Sequence, residues 1–182
     1  MIETLEHRVR ERIVDVPNFP TDGVLFKDIT PVLADWALLT EAVAAMASAF
    51  ARDDISHVLA AESRGFLFGV PIALALRAAF VPARKPGKLP RATVQEQFAL
   101  EYGTDTLAIH ADALSVGPLG RKARVLIVDD VLATGGTAAA CCRLVATLGG
   151  TVVGASMLIE LGFFGGRDRL HAAGRIESVI QY

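Results

Sequence analysis

Residues 125–137 read VLIVDDVLATGGT: four apolar residues, two adjacent carboxylates, a short apolar bridge and then Thr-Gly-Gly-Thr. So short and continuous an aliphatic run suits a strand buried on both faces, as in parallel sheets covered by helices. Asp129 and Asp130 fall at the carboxyl end of that strand. There they can accept hydrogen bonds from a polyol such as a ribose, or attract a metal-bound ligand. Across Ala133, Thr134, Gly135, Gly136 and Thr137, the paired glycines let backbone N–H groups turn inward and the threonines add hydroxyls. The following helix presents its positive end, so the loop suits one phosphate group. Adjacent acids also occur in phospho-acceptor receiver domains, and a Gly-Gly turn can be plain backbone geometry. Neither G-x-G-x-x-G nor G-x-x-x-x-G-K-[ST] accompanies the strand, which argues against a dinucleotide or P-loop site.

The neighbouring elements decide between these readings. Strands and helices alternate outward: HVLAA, a helix from about Phe66 to Ala78, AFVPAR, TLAIH, RVLIVDD, a helix from Thr137 to Leu148, TVVGASMLI and a last strand around IESVIQY. The pattern predicts an α/β fold with a mostly parallel central sheet flanked by helices. Ligands of such sheets bind beyond the carboxyl ends of the strands, where ESRG, the residues after AFVPAR and DDVLATGGT all fall, so the three segments are expected to converge. Upstream, Ile2, Leu5, Val9 and Ile13 keep helical spacing and PNFPTDG makes a rigid turn. Asp35 can cap a helix whose Leu39, Val43, Met46 and Phe50 share one face. Residues 84–104 carry two prolines, two glycines and three basic residues near their start, with no sustained helical period. They are expected to form a flexible lid.

Composition narrows the class. The 182 residues, 52% hydrophobic and 21% charged, are enough for one domain with a sizeable core. A formal net charge of −2 gives no general basic field, so anion binding must be local and a nucleic-acid partner is not expected. Cys141 and Cys142 are adjacent within a helix, which suits neither an ordinary disulfide nor a zinc site. The charged N-terminus has no signal core, and Arg77 interrupts the apolar stretch from Gly69. Neither export nor a membrane span is expected, and residence is read as cytoplasmic. His7, His57, His110 and His171 lack metal-ligand spacing.

VLIVDDVLATGGT resembles the phosphoribosyl pyrophosphate motif of the type I phosphoribosyltransferase family. FPTDGVLFKDITPVL, AAESRGFLFG, RKPGKLP and LEYGTDTLAIHADAL resemble the adenine-using members in order and spacing, from about Phe19 to the C-terminal strand. The resemblance implies a type I phosphoribosyltransferase fold in one domain, with an N-terminal hood over about residues 1–35 and the lid at 84–104. It also implies transfer of phosphoribosyl from 5-phosphoribosyl 1-pyrophosphate to adenine, giving AMP and pyrophosphate. Magnesium is expected on the substrate, and a homodimer as the assembly.

Residue by residue, the resemblance makes Asp129, Asp130 and Ala133–Thr137 the ribose 5-phosphate cradle. Glu62, Ser63 and Arg64 become the pyrophosphate loop, with a cis Glu62–Ser63 peptide, and Arg64 acts on the leaving group. Arg84, Lys85 and Lys88 would neutralise pyrophosphate when the lid closes. Glu101 becomes the candidate acid/base for the imidazole-ring proton, with Tyr102 beside the closing site. Leu25, Phe26 and Lys27 form the base site, adenine stacking on the phenylalanine and backbone groups reading its edge, with Val131 and Leu161 closing the pocket. Two positions depart from the family's habit: Phe98 stands where relatives often carry tyrosine, and Lys27 where many carry arginine. An oxopurine transferase shares the cradle, and a sensor that binds the donor without catalysis shares the fold. LFKD and LEYG favour adenine over the first. The chain shows neither the DNA-binding segment nor the basic surface usual in the second.

Overall fold

The computed structural model describes residues 3–100, 103–115, 121–170 and 173–182. The Thr4 hydroxyl accepts from the His7 N–H and opens α1 (Leu5–Arg12), which buries Val9. Strands β1 (Val14–Pro17) and β2 (Leu25–Asp28) pair antiparallel. Their connection closes where the Gly23 N–H donates to the Asn18 side chain at 2.9 Å. The short helix α2 (Thr30–Ala34) leads to α3 (Trp36–Ser48), whose N-cap is Asp35, accepting from the Leu38 N–H at 3.1 Å. The buried stripe of α3 and its exit runs through Leu38, Ala42, Met46 and Phe50. Leu39 and Val43 are only half-buried, because the helix packs on α4 as well as on the sheet and the stripe turns between them.

The body of the fold follows in chain order. It comprises β3 (His57–Ala61), α4 (Gly65–Leu76), β4 (Ala79–Ala83), β5 (Thr93–Leu100), β6 (Gly103–His110), β7 (Arg124–Leu132), α5 (Gly136–Thr147), β8 (Thr151–Glu160) and β9 (Arg175–Gln181). Five strands form one sheet in the order β4-β3-β7-β8-β9, every adjacent pair parallel. TLAIH is not among them. It belongs to β6, which pairs antiparallel with β5 in a separate ribbon. Residues 93–100 are thus strand, although proline and glycine nearby suggested irregular chain. Half-buried Val94 and Glu96 and buried Phe98 alternate with exposed Gln95 and Gln97, the period of a strand with one face on the core. Phe98 spends its ring on that core beside Leu107 and Ile109.

The sheet separates two cores. Leu59, Val125, Ile127, Ala155 and Met157 face α5 and the β5–β6 ribbon, while Val58, Ala60, Leu126, Val128 and Leu158 face α1, α3 and α4. Each Val, Leu, Ile or Met side chain taken fully out of water contributes about 1.5–3 kcal/mol before entropy is counted, so strands buried on both faces anchor the loops at their ends. Cys141 and Cys142 pack in the first core, where burial raises both thiols, that of Cys142 to about 11, and leaves them unreactive. None of the described helices is long and apolar enough to cross a membrane.

The register of β7 on β8 shifts between Val125 and Leu126, bringing Gly154 opposite Leu126. A methyl group on Gly154 would run into the Phe50 ring and come within 2.7 Å of the Arg175 carbonyl oxygen. Gly154→Ala is expected to cost about 1–3 kcal/mol through overpacking, read as a lower midpoint in urea unfolding. An unchanged midpoint would mean that Phe50 swings aside freely.

Candidate active site

A cleft of about 940 Å³ opens at the carboxyl ends of the parallel strands. One part is lined by Ala133, Thr134, Gly135, Gly136 and Thr137, the loop from β7 into α5. Gly135 takes φ +79°, a conformation that favours glycine, and no side chain caps the first turn of α5. The backbone amides of that turn are therefore available to an anion, reinforced by the helix dipole. The other part is lined by Leu25, Phe26, Val131 and Leu161, joined by Val24, Phe163 and Phe164. One end of the cleft is polar and dense in backbone donors; the other is apolar and aromatic.

Between them lie Asp129 and Arg64. Arg64 leaves the turn after β3 and pairs through Nε with Asp130 Oδ2 at 2.7 Å, its guanidinium carbon 4.9 Å from the centre of the Phe26 ring. Asp130 is buried, so of the two acids only Asp129 lines the cleft. The Asp129 carboxylate accepts from the Asp130 N–H at 2.9 Å. Burial, with the Asp130 charge next in weight, pushes its carboxyl well above the usual range. Gly65 makes this packing possible: a methyl there would stand 2.8 Å from Asp129 Oδ1. The Glu62–Ser63 peptide is cis.

The three segments expected to converge do so. Arg84 donates through Nε and Nη2 to the two Glu62 oxygens, both at 3.1 Å, and the Lys85 N–H donates to Glu62 at 3.2 Å. The Arg84 pair holds the Glu62 carboxyl below its ordinary value. Lys85 Nζ lies 3.2 Å from Asp105, and the Lys88 carbonyl accepts from Arg84 Nη1 at 3.2 Å. The basic trio thus borders the cleft rather than lining it, with Arg84 and Lys85 already paired to acids. Ser63 is exposed at the turn. The Lys27 ammonium points to Asp15 Oδ1 at 2.7 Å and over the Tyr182 ring at 3.9 Å, so the side chain is committed elsewhere while the residue still lines the cleft. Glu101 and Tyr102 lie outside the described residues. Arg91, given no role, pairs with Asp112 on the surface. His7 sits 3.0 Å from Glu3 and 3.8 Å from Glu11 along α1, remote in the chain from every cleft segment.

Sequence reasoning passed over Pro20, Thr21 and Gly23 as turn residues, and assigned no role to Val24, Phe163 and Phe164. The signal for the last two was an aromatic pair flanked by glycines; Phe163 is 71% exposed, its ring centre 4.5 Å from that of Phe164.

A parallel sheet with an anion cradle, an arginine-bearing turn and an apolar pocket at its carboxyl edge defines a class, and the comparisons agree with it. Residues 33–177 match the phosphoribosyl transferase domain, and the chain belongs to that family. Many relatives carry one particular activity in their names. The adenine phosphoribosyltransferase of Myxococcus xanthus is 53% identical over 167 residues, covering 92% of this chain and 88% of the relative. The crystal structure of adenine phosphoribosyltransferase from Thermoanaerobacter pseudethanolicus superposes with a TM-score of 0.91 at 45% identity, covering 98% of this chain and 100% of that one. The Saccharomyces cerevisiae enzyme, crystallised with an imino-altritol bisphosphate and adenine, superposes with a TM-score of 0.85 at 34% identity over 98% and 99% of the two chains.

A carboxyl raised by folding binds a proton that the unfolded chain has already released. Asp129 therefore lowers stability as pH climbs from the ordinary carboxylate range through its raised value. Asp129→Asn is expected to flatten that fall and to raise the melting temperature of the ligand-free protein at neutral pH. Parallel melting curves for the two proteins across pH would contradict the assignment.

Proposed function

We infer that this chain is an adenine phosphoribosyltransferase, moving the phosphoribosyl group of 5-phosphoribosyl 1-pyrophosphate to adenine with release of AMP and pyrophosphate. One observation carries the reading: a single cleft joins a backbone-rich anion cradle to an apolar, aromatic pocket, with Asp129 and Arg64 at the junction. A 5-phosphate at Thr134–Thr137 leaves the sugar hydroxyls toward Asp129. Adenine fits against Phe26, Val131 and Leu161, its edge read by the backbone of Leu25–Lys27.

The chemistry follows from where charge develops. As the bond from the anomeric carbon to pyrophosphate breaks and the imidazole nitrogen of adenine attacks, positive character builds on the ribose, which the Asp129 carboxylate offsets. The half-buried Asp129 ionises more readily once a cation lies beside it. Arg64 meets the departing pyrophosphate, aided by the exposed Ser63 of the same turn and by Lys88. Arg84 and Glu62 hold the turn in shape, and Lys85 completes that edge. Asp130 orients Arg64. Glu101 takes up the proton that adenine loses, and the 84–104 segment with Tyr102 excludes water that would hydrolyse the donor.

The donors available fit a magnesium ion carried on substrate oxygens. Asp129 is the one carboxylate lining the cleft among the described residues, whereas Asp130 is engaged by Arg64. Such an ion keeps most of its ligands from phosphate and water, and when bound it would neutralise charge on the leaving group. The enzyme works as a homodimer, for which Leu67, Val70 and Leu74 on the outer face of α4 offer exposed apolar surface. It resides in the cytoplasm, whose reducing conditions suit the two free cysteines.

The decisive assay supplies phosphoribosyl pyrophosphate and Mg²⁺ with adenine, hypoxanthine, guanine or xanthine in turn. AMP formation with adenine alone is expected. Turnover with an oxopurine instead would overturn the base-site assignment, and donor binding with no turnover would overturn the enzyme reading. Glu101→Ala should lower kcat by roughly 100-fold or more if the residue moves the proton, and near-wild-type turnover would remove it from that role.

A further inference from the structure

The cradle has a wall that none of the motifs announces. After β8 the chain makes two 3-10 turns, Gly162–Phe164 and Gly166–Arg169. Gly166 lies directly on the phosphate loop: a methyl group there would collide with the carbonyl oxygen of Ala133 and stand 3.0 Å from the Gly135 nitrogen. A methyl on Gly135 would in turn stand 2.6 Å from the Gly166 oxygen. Backbone touches backbone, so wherever Gly166 sits sets how far Ala133–Gly135 can spread.

Gly166 is held by its neighbour. Arg167 donates through Nε and Nη2 to the two oxygens of Glu160 at 2.9 and 2.5 Å, and through Nη1 to the Ile176 carbonyl at 3.0 Å. The Glu160 side chain is 7% exposed and also accepts from Ser178 Oγ at 2.8 Å and Gln181 Nε2 at 3.0 Å. Two side chains of β9 and a forked guanidinium therefore converge on one carboxylate at the end of β8, and neither Glu160 nor Arg167 lines the cleft. A bidentate pair with three further bonds fixes direction as well as distance. The base-side residues of the same segment are held separately: the Leu161 N–H donates to the Leu132 carbonyl at 2.8 Å and the Gly162 N–H to the Tyr182 carbonyl at 3.0 Å.

We propose that Glu160 and Arg167 are positioning residues for the phosphate loop, a brace that presses Gly166 against Ala133 and Gly135 and so sets the affinity for the sugar phosphate. The proposal rests on reading Thr134–Thr137 as the phosphate site. It assigns the brace to the donor and leaves adenine binding to the Leu132 and Tyr182 contacts.

The test uses Glu160→Gln, Arg167→Lys and Gly166→Ala, each first checked for a cooperative melt. Arg167→Lys keeps the charge and loses the fork; Gly166→Ala keeps the ion pair and moves the loop. The dissociation constant of ribose 5-phosphate by calorimetry and the KM for phosphoribosyl pyrophosphate should both rise by roughly tenfold or more, since small misplacements of a built site are costly. The adenine KM should stay near the wild-type value. Donor and adenine constants moving together, or neither moving in folded variants, would overturn the brace. If Arg167→Lys does not fold, Gly166→Ala reads the same geometry with the pair intact. Wild-type protein that binds ribose 5-phosphate but transfers nothing to adenine would sink the transferase reading alone, leaving the calorimetry to judge the brace. Wild-type turnover with unchanged ribose 5-phosphate affinity in the variants would sink the brace alone.

Discussion

Parallel pairing governs this molecule. Strands that run the same way cannot be joined by a tight turn, so each chain reversal from β3 to β4 and from β7 to β8 has to cross a face of the sheet as a helix. Every strand then ends at the same edge. Glu62 to Arg64, Arg84, Asp129 to Thr137 and Leu161 to Phe164 become neighbours although 102 residues separate the first from the last. The contacts that lock them are short-range consequences of that long-range arrangement: Arg64 on Asp130 at 2.7 Å and Arg84 on Glu62 at 3.1 Å. Partly buried pairs of this kind add little net stability over apolar packing, but each makes the other partner costly to misplace.

The site is built by bringing main chain close to main chain. Gly65 lets α4 start against Asp129, and Gly135 and Gly166 let two loops touch. The gain is a cradle of amides at the head of α5. The cost is a carboxyl in Asp129 whose charged form the ligand-free fold disfavours, through burial and the neighbouring Asp130. A stability deficit held in reserve for a charged ligand is a common bargain at functional sites.

The chain after β8 serves both ends of the cleft. Leu161, Phe163 and Phe164 line the apolar end, and Gly166 backs the polar one, with the Glu160–Arg167 pair behind. The β5–β6 ribbon sits on the opposite core from α1, α3 and α4, tied to the body through Phe98, Leu107 and Ile109. That tie packs the ribbon firmly against the body of the fold.

Much of this was legible in one dimension. Runs of aliphatic residues, the Asp35 cap and the glycine pair at 135 and 136 act locally, through burial period, capping and backbone freedom, so sequence by itself determined the α/β class, the start of α3 and the glycine turn into α5. Three features escaped it. The strand at 93–100 was masked by the prolines and glycine before it, although its period-two pattern was present. The face of α3 turned because two partners, not one, cover it. Gly166 and the Glu160–Arg167 pair left no motif, since what matters in them is contact with Ala133, Gly135 and β9, and Phe163 and Phe164 left only an aromatic pair between glycines. Those partners come together only when the sheet assembles, so which of the two adjacent acids faces the cleft, which cations are already paired and what stands behind the loop from β7 into α5 were decided by tertiary structure alone.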